Sequence, residues 1–444
     1  MFPIDDALMV TVSEDGYLSN YPAGQHGPHM YNGQFYVPLF HEGGTIQMYK
    51  SSDEGASWSV VGTGPSCQET YYTDDEVFHY VENLASVLVG DKIYVLHLED
   101  VAESDAFSPT AHLLVSTFNI GSDSWTGTSS NGPLAYAGGG PSDSVAKRIY
   151  LAYRSDDTAL VAFYSRQAVV DSAYWNSFVT DKRVGRVACV TYSLSSSTWG
   201  SEINMFEAGT VDSWEPCGIC AGSEGRLHCV ARSDPQGANV ATGVRLHYAH
   251  QTLALTGPQG VQVVVEGTQI TSGRPSPYHP GSVEIEGVTY VYFATQGAYN
   301  GNTNSSSVSV WCAASANTPS FSEAVQSTIG GRGCGPSGKL YPASAVSYFQ
   351  RTEYDLIFRA IADVGCDWEF GGVNFSPPSP GGDYIEQVSV GQPWGNSIAF
   401  AELDYPGTPV GSGTLYRHRP VRAIITLVEE GTPSCCCTYD SGGG

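Results

Sequence analysis

Four histidines near the start of the chain could act in catalysis or bind a metal. They are His29, His41, His79 and His97, in segments that are typical of strands and loops. A neutral imidazole can take a proton from carbon in a lyase reaction, and it is also a common metal ligand. The competing interpretation is that the four histidines serve separate structural roles, as histidines in strands and loops more often do.

Carboxylates and thiols offer two further kinds of chemistry. The acidic run Asp74–Glu76 could bind calcium, although a solvated acidic loop is commoner. Cys217 and Cys220 form a CxxC pair in a predicted strand, where residues three apart lie on opposite faces, a poor geometry for zinc. The triplet Cys435–Cys437 could bridge subunits, bind a metal or remain in solvent. We therefore expect no metal site and no cofactor.

The octet Ser51–Trp58 predicts a tight hairpin turn between two strands. It reads S-x-D-x-G-x-S-W. The carboxylate of Asp53 caps backbone N–H groups, and Gly55 tolerates positive φ. Ser57 begins the next strand, and the ring of Trp58 can fold under the turn as a plug. Weaker copies of this turn and its flanking strands recur along the chain, so the motif indicates a fold built from repeated units.

Six units with the same order of strands follow one another along the chain. The turns and second strands begin at intervals of 56 to 78 residues: 32–37, 90–95, 146–151, 224–230, 286–291 and 352–357. A third strand follows in each unit: Ile46–Tyr49, Leu113–Phe118, Val187–Tyr192, Val244–Tyr248, Val308–Cys312 and Ser397–Leu403. Short apolar strands separated by Gly, Ser, Asp and Asn indicate antiparallel sheets.

Repeats of this period predict an all-β fold, a six-bladed β-propeller of four-stranded antiparallel blades. A large β-sandwich or a jelly roll is the alternative. The ring must close, and both Ala7–Val12 and Ala423–Val428 read as strands that could complete the last blade. Residues 1–432 are predicted to be one domain, with an insertion at about 363–392 in the sixth blade. Residues 433–444 form a Cys- and Gly-rich tail.

The composition of the chain limits which binding partners and which cellular location we expect. The 444 residues include 20 Lys and Arg against 45 Asp and Glu, a net charge of −25, which disfavours nucleic acid and anionic membranes. No apolar run is long enough to span a membrane, and the N-terminus does not resemble a secretory signal. We expect other partners: virion proteins, copies of the chain itself, or a surface glycan.

The turn motif, repeated on a six-bladed propeller, resembles the Asp-box (BNR) repeat of the sialidase superfamily. The resemblance in plan covers nearly the whole chain, and the one complete box comprises Ser51, Asp53, Gly55, Ser57 and Trp58. In that family the box is a structural turn on the periphery of a blade, away from the catalytic centre. The resemblance therefore implies a fold more than a reaction.

The same resemblance implies a set of catalytic residues. Sialidases hold the substrate carboxylate with three arginines, attack with a tyrosine assisted by a glutamate, and use an aspartate as acid and base. The stretch from Trp214 through Glu215 to Arg232 resembles the one that supplies the glutamate and an arginine, and Tyr341 matches the tyrosine. Arg245 or Arg274 could supply another arginine.

Part of that set is missing, and this decides the functional expectation. The family's first arginine precedes the first pair of strands, where this chain has Gly27–Met30. We therefore expect a non-catalytic propeller, a structural or recognition component of a phage particle, located in the virion or outside the cell after lysis. The alternative is a sialidase-like glycoside hydrolase or a polysaccharide lyase that acts on an anionic glycan at the propeller axis, with Tyr341, Glu215 and Arg232 as catalytic residues. A glycan-binding lectin is a third possibility.

Overall fold

A computed structural model of the chain describes most of its strands and several of its turns. The described residues are 4–11, 17–18, 28–41, 45–53, 57–66, 84–101, 110–137, 149–168, 184–207, 212–221, 226–235, 245–251, 259–266, 277–285, 288–296, 306–313, 321–327, 345–352, 355–361, 374–375, 384–394, 397–405 and 416–427. They form β-strands and one 3-10 turn, Ile120–Ser122. Within these ranges no helix is long and apolar enough to cross a membrane.

The strands are short and follow one another closely. In chain order the first eleven are β1 (Ile4–Thr11), β2 (Tyr17–Leu18), β3 (His29–Tyr31), β4 (Gln34–His41), β5 (Thr45–Ser51), β6 (Ser59–Ser66), β7 (Ala85–Val89), β8 (Lys92–Val101), β9 (Thr110–Asn119), β10 (Ser124–Thr128) and β11 (Leu134–Ala137). The next nine are β12 (Ile149–Arg154), β13 (Ala159–Ala168), β14 (Val184–Ser193), β15 (Thr198–Trp199), β16 (Ile203–Glu207), β17 (Asp212–Ala221), β18 (Leu227–Pro235), β19 (Arg245–Gln251) and β20 (Gln259–Glu266). The last ten are β21 (Pro277–Ile285), β22 (Val288–Gln296), β23 (Ser306–Ala313), β24 (Ser322–Ser327), β25 (Ala345–Thr352), β26 (Asp355–Ile361), β27 (Asn374–Phe375), β28 (Tyr384–Trp394), β29 (Ser397–Tyr405) and β30 (Tyr416–Leu427).

Hydrogen bonding joins these strands into antiparallel sheets, which we number in chain order. Sheet I is β3–β6, sheet IV is β17–β20, sheet V is β21–β24 and sheet VI is β25–β27. Sheet VII contains β28, β29 and β30, with β1 and β2 added from the start of the chain. A ten-stranded sheet comprises sheet II (β7–β11) and sheet III (β12–β16), which β11 bridges by pairing with both β9 and β13.

The predicted antiparallel fold is confirmed, but the count of six units is not. Hydrogen bonds join the described strands into six sheets, and dividing the ten-stranded sheet at β11 gives the seven groups numbered here. Residues 397–403, predicted to be the third strand of the sixth unit, are the second strand of a separate sheet VII. The expected insertion at 363–392 includes β27 and most of β28. The prediction merged two sheets because it assigned the strands of this segment to a loop.

A second correction concerns the third unit. The predicted second strand at 146–151 corresponds to β12, which is the first strand of sheet III, and the second strand is β13. Both strands are apolar at nearly every position, so no alternation distinguishes an inner strand from its neighbour. The order within the unit therefore depends on pairing, which the sequence does not reveal.

The sheets follow one another around a closed ring. First strands of consecutive sheets contact each other, as in β7 with β12, β12 with β17, β17 with β21, β25 with β28, and β28 with β3. The first strands therefore line the centre, and the later strands lie towards the periphery. This is the arrangement of a propeller.

The first and last strands of the chain close this ring together. β1 pairs with β30, with Ala7 opposite Ile425 and Thr11 opposite Val421. The order in sheet VII is β28, β29, β30 and then β1, so β1 is the outermost of these four strands. The two segments that the sequence predicts as strands able to close the ring therefore pair with each other in sheet VII.

The apolar core lies between consecutive sheets rather than within one. One buried cluster joins Tyr36 and Met48 of sheet I to Val95 and Phe118 of sheet II. Neighbouring residues of one strand enter different clusters: Ile149 and Leu151 pack towards sheet II, whereas Tyr150 packs towards sheet IV. Both faces of a sheet are thus buried, which explains why the inner strands are continuous apolar runs.

Tryptophans on outer strands reach across to the preceding sheet. The indole Nε1 of Trp125 in sheet II donates to the carbonyl oxygen of Gly62 in sheet I, at 3.1 Å. The same relation recurs one sheet later, where Nε1 of Trp199 donates to the carbonyl oxygen of Ser130, also at 3.1 Å. Trp125 and Trp199 therefore fasten one blade to the next.

Close approach of these rings requires glycine in the facing strand. A Cβ at Gly64 would lie 2.5 Å from the carbonyl oxygen of Ile46 and 2.6 Å from Cε2 of Trp125. A Cβ at Gly132 would lie 2.7 Å from Cε2 of Trp199 and 2.8 Å from the carbonyl oxygen of Leu113. We expect Gly64→Ala and Gly132→Ala each to lower the free energy of unfolding by about 1–3 kcal/mol, because the ring or the strand must move. Denaturant unfolding measures this loss.

A control for these two variants is Gly121→Ala. A Cβ at Gly121 would meet only the side-chain oxygen of Asn119, at 3.3 Å. We expect its unfolding midpoint to stay near that of the wild type. Equal midpoints for all three variants would contradict the fastening role of the tryptophans.

Candidate functional site

In each antiparallel sheet the strand ends lie along two opposite sides. We call one of these two sides, which is not an outermost strand, the leading edge. There the first strand begins, the second strand ends and the third strand begins. Because consecutive sheets repeat this order around the ring, their leading edges lie on the same side of the propeller. The described strand ends at the leading edges surround the first strands, so this is the side on which a ligand would meet several blades at once.

Two of the predicted catalytic residues are brought together at the leading edge of sheet IV. Glu215 lies in β17 near its start, Arg232 lies in β18 near its end, and the two are Cα partners. Directly opposed residues lie on the same face of an antiparallel pair, with Cβ atoms about 5 Å apart. Sixteen residues separate Glu215 from Arg232 in the sequence, and the hairpin makes the two neighbours.

The register between β17 and β18 is irregular immediately after Glu215. The pairing of β17 with β18 shifts between Pro216 and Gly218. Proline cannot donate a ladder hydrogen bond, so it is tolerated at a bulge or on a strand with one free edge. β17 is the first strand of its sheet and meets both conditions.

Several other predicted residues lie outside the described ranges. They include Tyr341, Arg274, His79, the acidic run 74–76, residues 27 and 55, and the cysteine triplet 435–437. Tyr341 precedes β25 by four positions in the sequence, so it belongs to the segment that enters the first strand of sheet VI. Its catalytic role stays a prediction.

The predicted turn at residues 51–58 has the expected hydrogen bonds. The Asp53 carboxylate accepts from the backbone N–H of Ser57 at 2.9 Å, and from the hydroxyls of Ser57 at 2.6 Å and Ser51 at 2.8 Å. Burial alone would raise the pKa of Asp53, but these bonds from Ser57 and Ser51 outweigh it and lower the pKa below its ordinary value. The ring of Trp58 stacks on Phe35, with centroids 6.3 Å apart.

The location of this turn agrees with a structural role. It connects β5 to β6, the third and fourth strands of sheet I, so it lies at the periphery and on the edge opposite the leading edge. The geometry at Ser51, Asp53, Ser57 and Trp58 is that of the predicted turn. Assignment of the motif to a named repeat stays a prediction.

The first histidine of the proposed cluster joins two sheets. Nε2 of His29, in the first strand of sheet I, lies 2.7 Å from Oγ of Ser86, in the first strand of sheet II. Both residues are buried. The pair lies at the leading edge, but it is enclosed between first strands.

The other described histidines of that group lie elsewhere. Nε2 of His97 is 2.8 Å from Oγ of Ser116, whose hydroxyl lies 2.9 Å from that of Thr128, a buried network within sheet II. His41 is the last residue of β4. His29 and His97 therefore lie in different sheets and have separate serine partners, which favours the interpretation of separate structural roles over a common metal site.

A metal site finds no support in the described part of the chain. No group of three or more His, Cys, Asp or Glu side chains converges there. Cys217 and Cys220 lie in β17 as predicted; Cys217 is the residue at the register shift, and Cys220 lies beyond it. Cys189 and Cys229 are buried free thiols packed in the apolar cluster between sheets III and IV, the filler role expected of strand cysteines.

A different pair of histidines is buried at the opposite edge of sheet IV. His228 and His250 are Cα partners in β18 and β19, and Nδ1 of His228 lies 2.7 Å from the hydroxyl of Tyr248. Nδ1 of His250 has no hydrogen-bond partner among the described residues. Burial, with smaller contributions from the nearby charges of Arg226 and His228, lowers the pKa of His250 to about 4.

This lowered pKa predicts acid sensitivity. His250 is neutral in the folded and unfolded chain above its ordinary pKa of 6.5. As the pH falls from 6.5 towards 4, the unfolded chain binds a proton that the folded chain does not, so stability is lost, by up to about 3 kcal/mol. We expect His250→Leu to flatten the dependence of unfolding free energy on pH in this window. An unchanged dependence would contradict the buried neutral state.

Sequence reasoning missed most of the other charged residues of the leading edges, with the exception of Arg245, which the family resemblance offers as a further arginine. In sheet III, Arg166 of β13 is the Cα partner of Arg186 of β14, which is also the partner of Glu207 of β16. In sheet IV, Arg245 is opposite Glu266. These pairings depend on register, and the only signal in the sequence is that each charge lies within two or three residues of a strand end.

Comparisons with known proteins identify the fold. No family model matches the chain, and neither does any curated protein sequence. The polysaccharide lyase Uly1 aligns with a TM-score of 0.52 and 10% identity, covering 96% of this chain and 100% of that chain. An ulvan lyase bound to -[GlcA(1-4)Rha3S]- aligns with a TM-score of 0.53 and 8% identity, covering 95% of this chain and 98% of that chain.

A sialidase from Trypanosoma rangeli aligns more weakly, with a TM-score of 0.41 and 11% identity, covering 93% of this chain and 55% of that chain. At identities this low, the likeness to the two lyases concerns the fold alone. The chain is a β-propeller of antiparallel sheets, as the sequence resemblance implies.

Proposed function

We propose that this chain is a polysaccharide lyase that cleaves an acidic glycan at the leading edge of its propeller. The observation that carries the proposal is the extent of the structural likeness. Two polysaccharide lyases match nearly the whole chain, and the chain covers 100% and 98% of them in return. This chain therefore spans nearly the whole length of both aligned lyase chains.

The leading edge of sheet IV supplies residues suited to this chemistry. A lyase must stabilise the negative charge that develops on a uronate when a proton leaves the carbon next to the carboxylate. An arginine provides a permanent charge and a planar fork that matches a carboxylate. Under the proposal Arg232 binds the carboxylate, and Glu215 is its Cα partner across the hairpin.

The reaction is an elimination. A base takes the proton next to the carboxylate, the electron pair forms a carbon–carbon double bond, and the bond from the neighbouring carbon to the glycosidic oxygen breaks. An acid then protonates that oxygen, so no water is consumed. Tyr341, which precedes β25 in the sequence, is the proposed donor of this proton, since a phenol can act as a general acid.

Elimination fits the residues better than sialidase-type hydrolysis does. Hydrolysis by a sialidase needs three arginines on the carboxylate, and residues 27–30, where the first would be expected, contain none. An elimination needs one neutralising cation, a base and an acid. The same incomplete set that disfavours a sialidase is therefore compatible with a lyase.

The test is an assay for the unsaturated product. Purified protein is incubated with an acidic glycan that contains uronate, and the ultraviolet absorbance of the conjugated double bond is followed. We expect absorbance to rise with acidic glycans and to stay flat with a neutral glycan such as arabinan. No rise with any of a panel of uronate-containing glycans would contradict the proposal and favour the non-catalytic component of a virus particle.

A further inference from the structure

Three tyrosines and a tryptophan lie together on the side of the propeller opposite the leading edges. Tyr94 is the third residue of β8, and Tyr153 and Tyr192 are each the last but one of β12 and β14. These positions are near strand ends of sheets II and III on that side. Tyr94, Tyr153 and Trp199 are half-buried, Tyr192 is 7% exposed, and all four side chains belong to or pack against one apolar cluster between the two sheets.

The four rings are close to one another. Tyr192 and Trp199 are Cα partners in β14 and β15, and their ring centroids are 5.0 Å apart. Burial raises the pKa of Tyr94, and Tyr192 and Tyr153 are near enough to raise it further. The indole N–H of Trp199 already has its acceptor in sheet II, which fixes the orientation of that ring.

The hydroxyls of the three tyrosines have no protein partner. Tyr94, Tyr153 and Tyr192 make no side-chain hydrogen bond with any residue that the structure describes. A phenol that is largely buried ordinarily finds such a partner, because leaving the hydroxyl unsatisfied costs free energy. These hydroxyls are therefore left for water or for the polar groups of a ligand.

The same place between sheets I and II is closed. Tyr36 is the third residue of β4, as Tyr94 is of β8, but it is fully buried and its hydroxyl donates to Oε1 of Gln34 at 2.8 Å. Nζ of Lys50 lies 5.3 Å from the centre of that ring and 2.7 Å from Oδ2 of Asp123 in sheet II. The open tyrosine hydroxyls are thus a feature of the junction between sheets II and III.

The charges next to these rings favour an uncharged ligand. The adjoining turns contribute Asp91 and Lys92 from sheet II, and Arg154, Asp156 and Asp157 from sheet III, three carboxylates against two cations. Arg154 is only 2% exposed, and its Nε donates to the carboxylate of Asp157 at 2.9 Å. An acidic glycan therefore meets no excess of positive charge here.

We propose that Tyr94, Tyr153, Tyr192 and Trp199 form a binding site for a neutral sugar residue of a glycan chain. One face of a pyranose presents C–H groups that pack on the negative face of an aromatic ring, and its hydroxyls bond to phenols. The site lies on the side of the propeller opposite the proposed cleavage site. It goes beyond the proposed function and does not depend on it, since it holds a glycan without cleaving it.

Electrophoresis in native gels that contain a soluble neutral polysaccharide tests this site. The net charge of −25 drives the chain through the gel, and binding to the polysaccharide slows it. The probes are arabinan, xylan and galactan, each compared with a gel without polysaccharide. We expect at least one to retard the wild type, and Tyr94→Phe and Tyr153→Phe each to weaken that binding about 3- to 10-fold, since each removes one hydrogen bond to the sugar.

Tyr36→Phe is the matched control. It removes the hydroxyl from the corresponding position of sheet I, where that group is buried and bonded to Gln34. We expect wild-type retardation and a lower unfolding temperature for Tyr36→Phe. Tyr94→Phe and Tyr153→Phe should show the reverse, weaker retardation and an unchanged unfolding temperature, because their hydroxyls have no partner among the described residues.

Three results would overturn the proposal. The first is that none of the three polysaccharides retards the wild type. The second is that Tyr94→Phe and Tyr153→Phe are retarded as strongly as the wild type. The third is a wild-type dimer, seen by sedimentation, that Tyr153→Ala dissociates, because the rings would then be an interface between copies of the chain.

Discussion

Replacing Arg232 by glutamine should lower kcat/KM on an acidic glycan by about 10- to 100-fold. A charge-assisted hydrogen bond to a carboxylate contributes on the order of 1.5–3 kcal/mol, and here it would strengthen as negative charge develops in the transition state. The fall should appear mainly in kcat for this reason. Initial rates of absorbance increase over a range of glycan concentrations give both constants.

A double-mutant cycle separates this effect from loss of the cross-strand pair. Arg232→Gln leaves Glu215 without its Cα partner of opposite charge, which could disturb the hairpin by itself. Glu215→Gln and the double variant complete the cycle. If Arg232 binds substrate, the double variant stays as slow as Arg232→Gln alone. Recovery of activity in the double variant would show that Arg232 only neutralises Glu215.

Deleting residues 1–11 should prevent the propeller from folding stably. These residues include β1, which pairs with β30 at six positions and forms the outer strand of the sheet that closes the ring. Loss of those backbone hydrogen bonds, together with exposure of the edge of β30, costs about 5 kcal/mol or more. That is comparable to the whole stability of an ordinary domain. Circular dichroism during thermal unfolding reports the loss.

A truncation of similar length at the other end provides the control. Residues 433–444 form the predicted Cys- and Gly-rich tail, which follows the last strand of the closing sheet. We expect their deletion to leave the unfolding temperature unchanged. If the chain without residues 1–11 unfolds at the same temperature as the wild type, β1 does not close the ring.

Local patterns in the sequence predicted the elements that local chemistry determines. The turn at Asn32 and Gly33 is an example, since both residues adopt positive φ, at 48° and 73°, as a two-residue hairpin turn requires. The bonds from Ser57 to Asp53 follow in the same way from residues four apart. In both cases the interacting groups lie within a few residues of each other, so spacing alone specifies the geometry.

The number and order of the sheets were predicted less accurately than the turns, for a physical reason. Strands buried on both faces, such as β12 and β13, lose the alternation that would identify their position in a sheet. Very short strands such as β27, with two residues, give no periodic signal at all. The last two sheets were therefore read as one unit with an insertion.

The candidate site was only partly accessible to sequence reasoning. Glu215 and Arg232 were identified through resemblance to a family, and their neighbouring positions agree with that idea. The arginine pair at 166 and 186 was missed, because a slip of one residue in register would move either arginine to the other face. Charges that converge from separate strands can be recognised only once the pairing is known.

Cleavage of an acidic glycan in water enriched with heavy oxygen tests the central claim most directly. Elimination takes no oxygen from water, so the account predicts products of unlabelled mass that carry a conjugated double bond. A hydrolase would instead incorporate one heavy oxygen at each cleaved bond and form no double bond. Labelled products, or an intact glycan from every acidic source tested, would contradict the account.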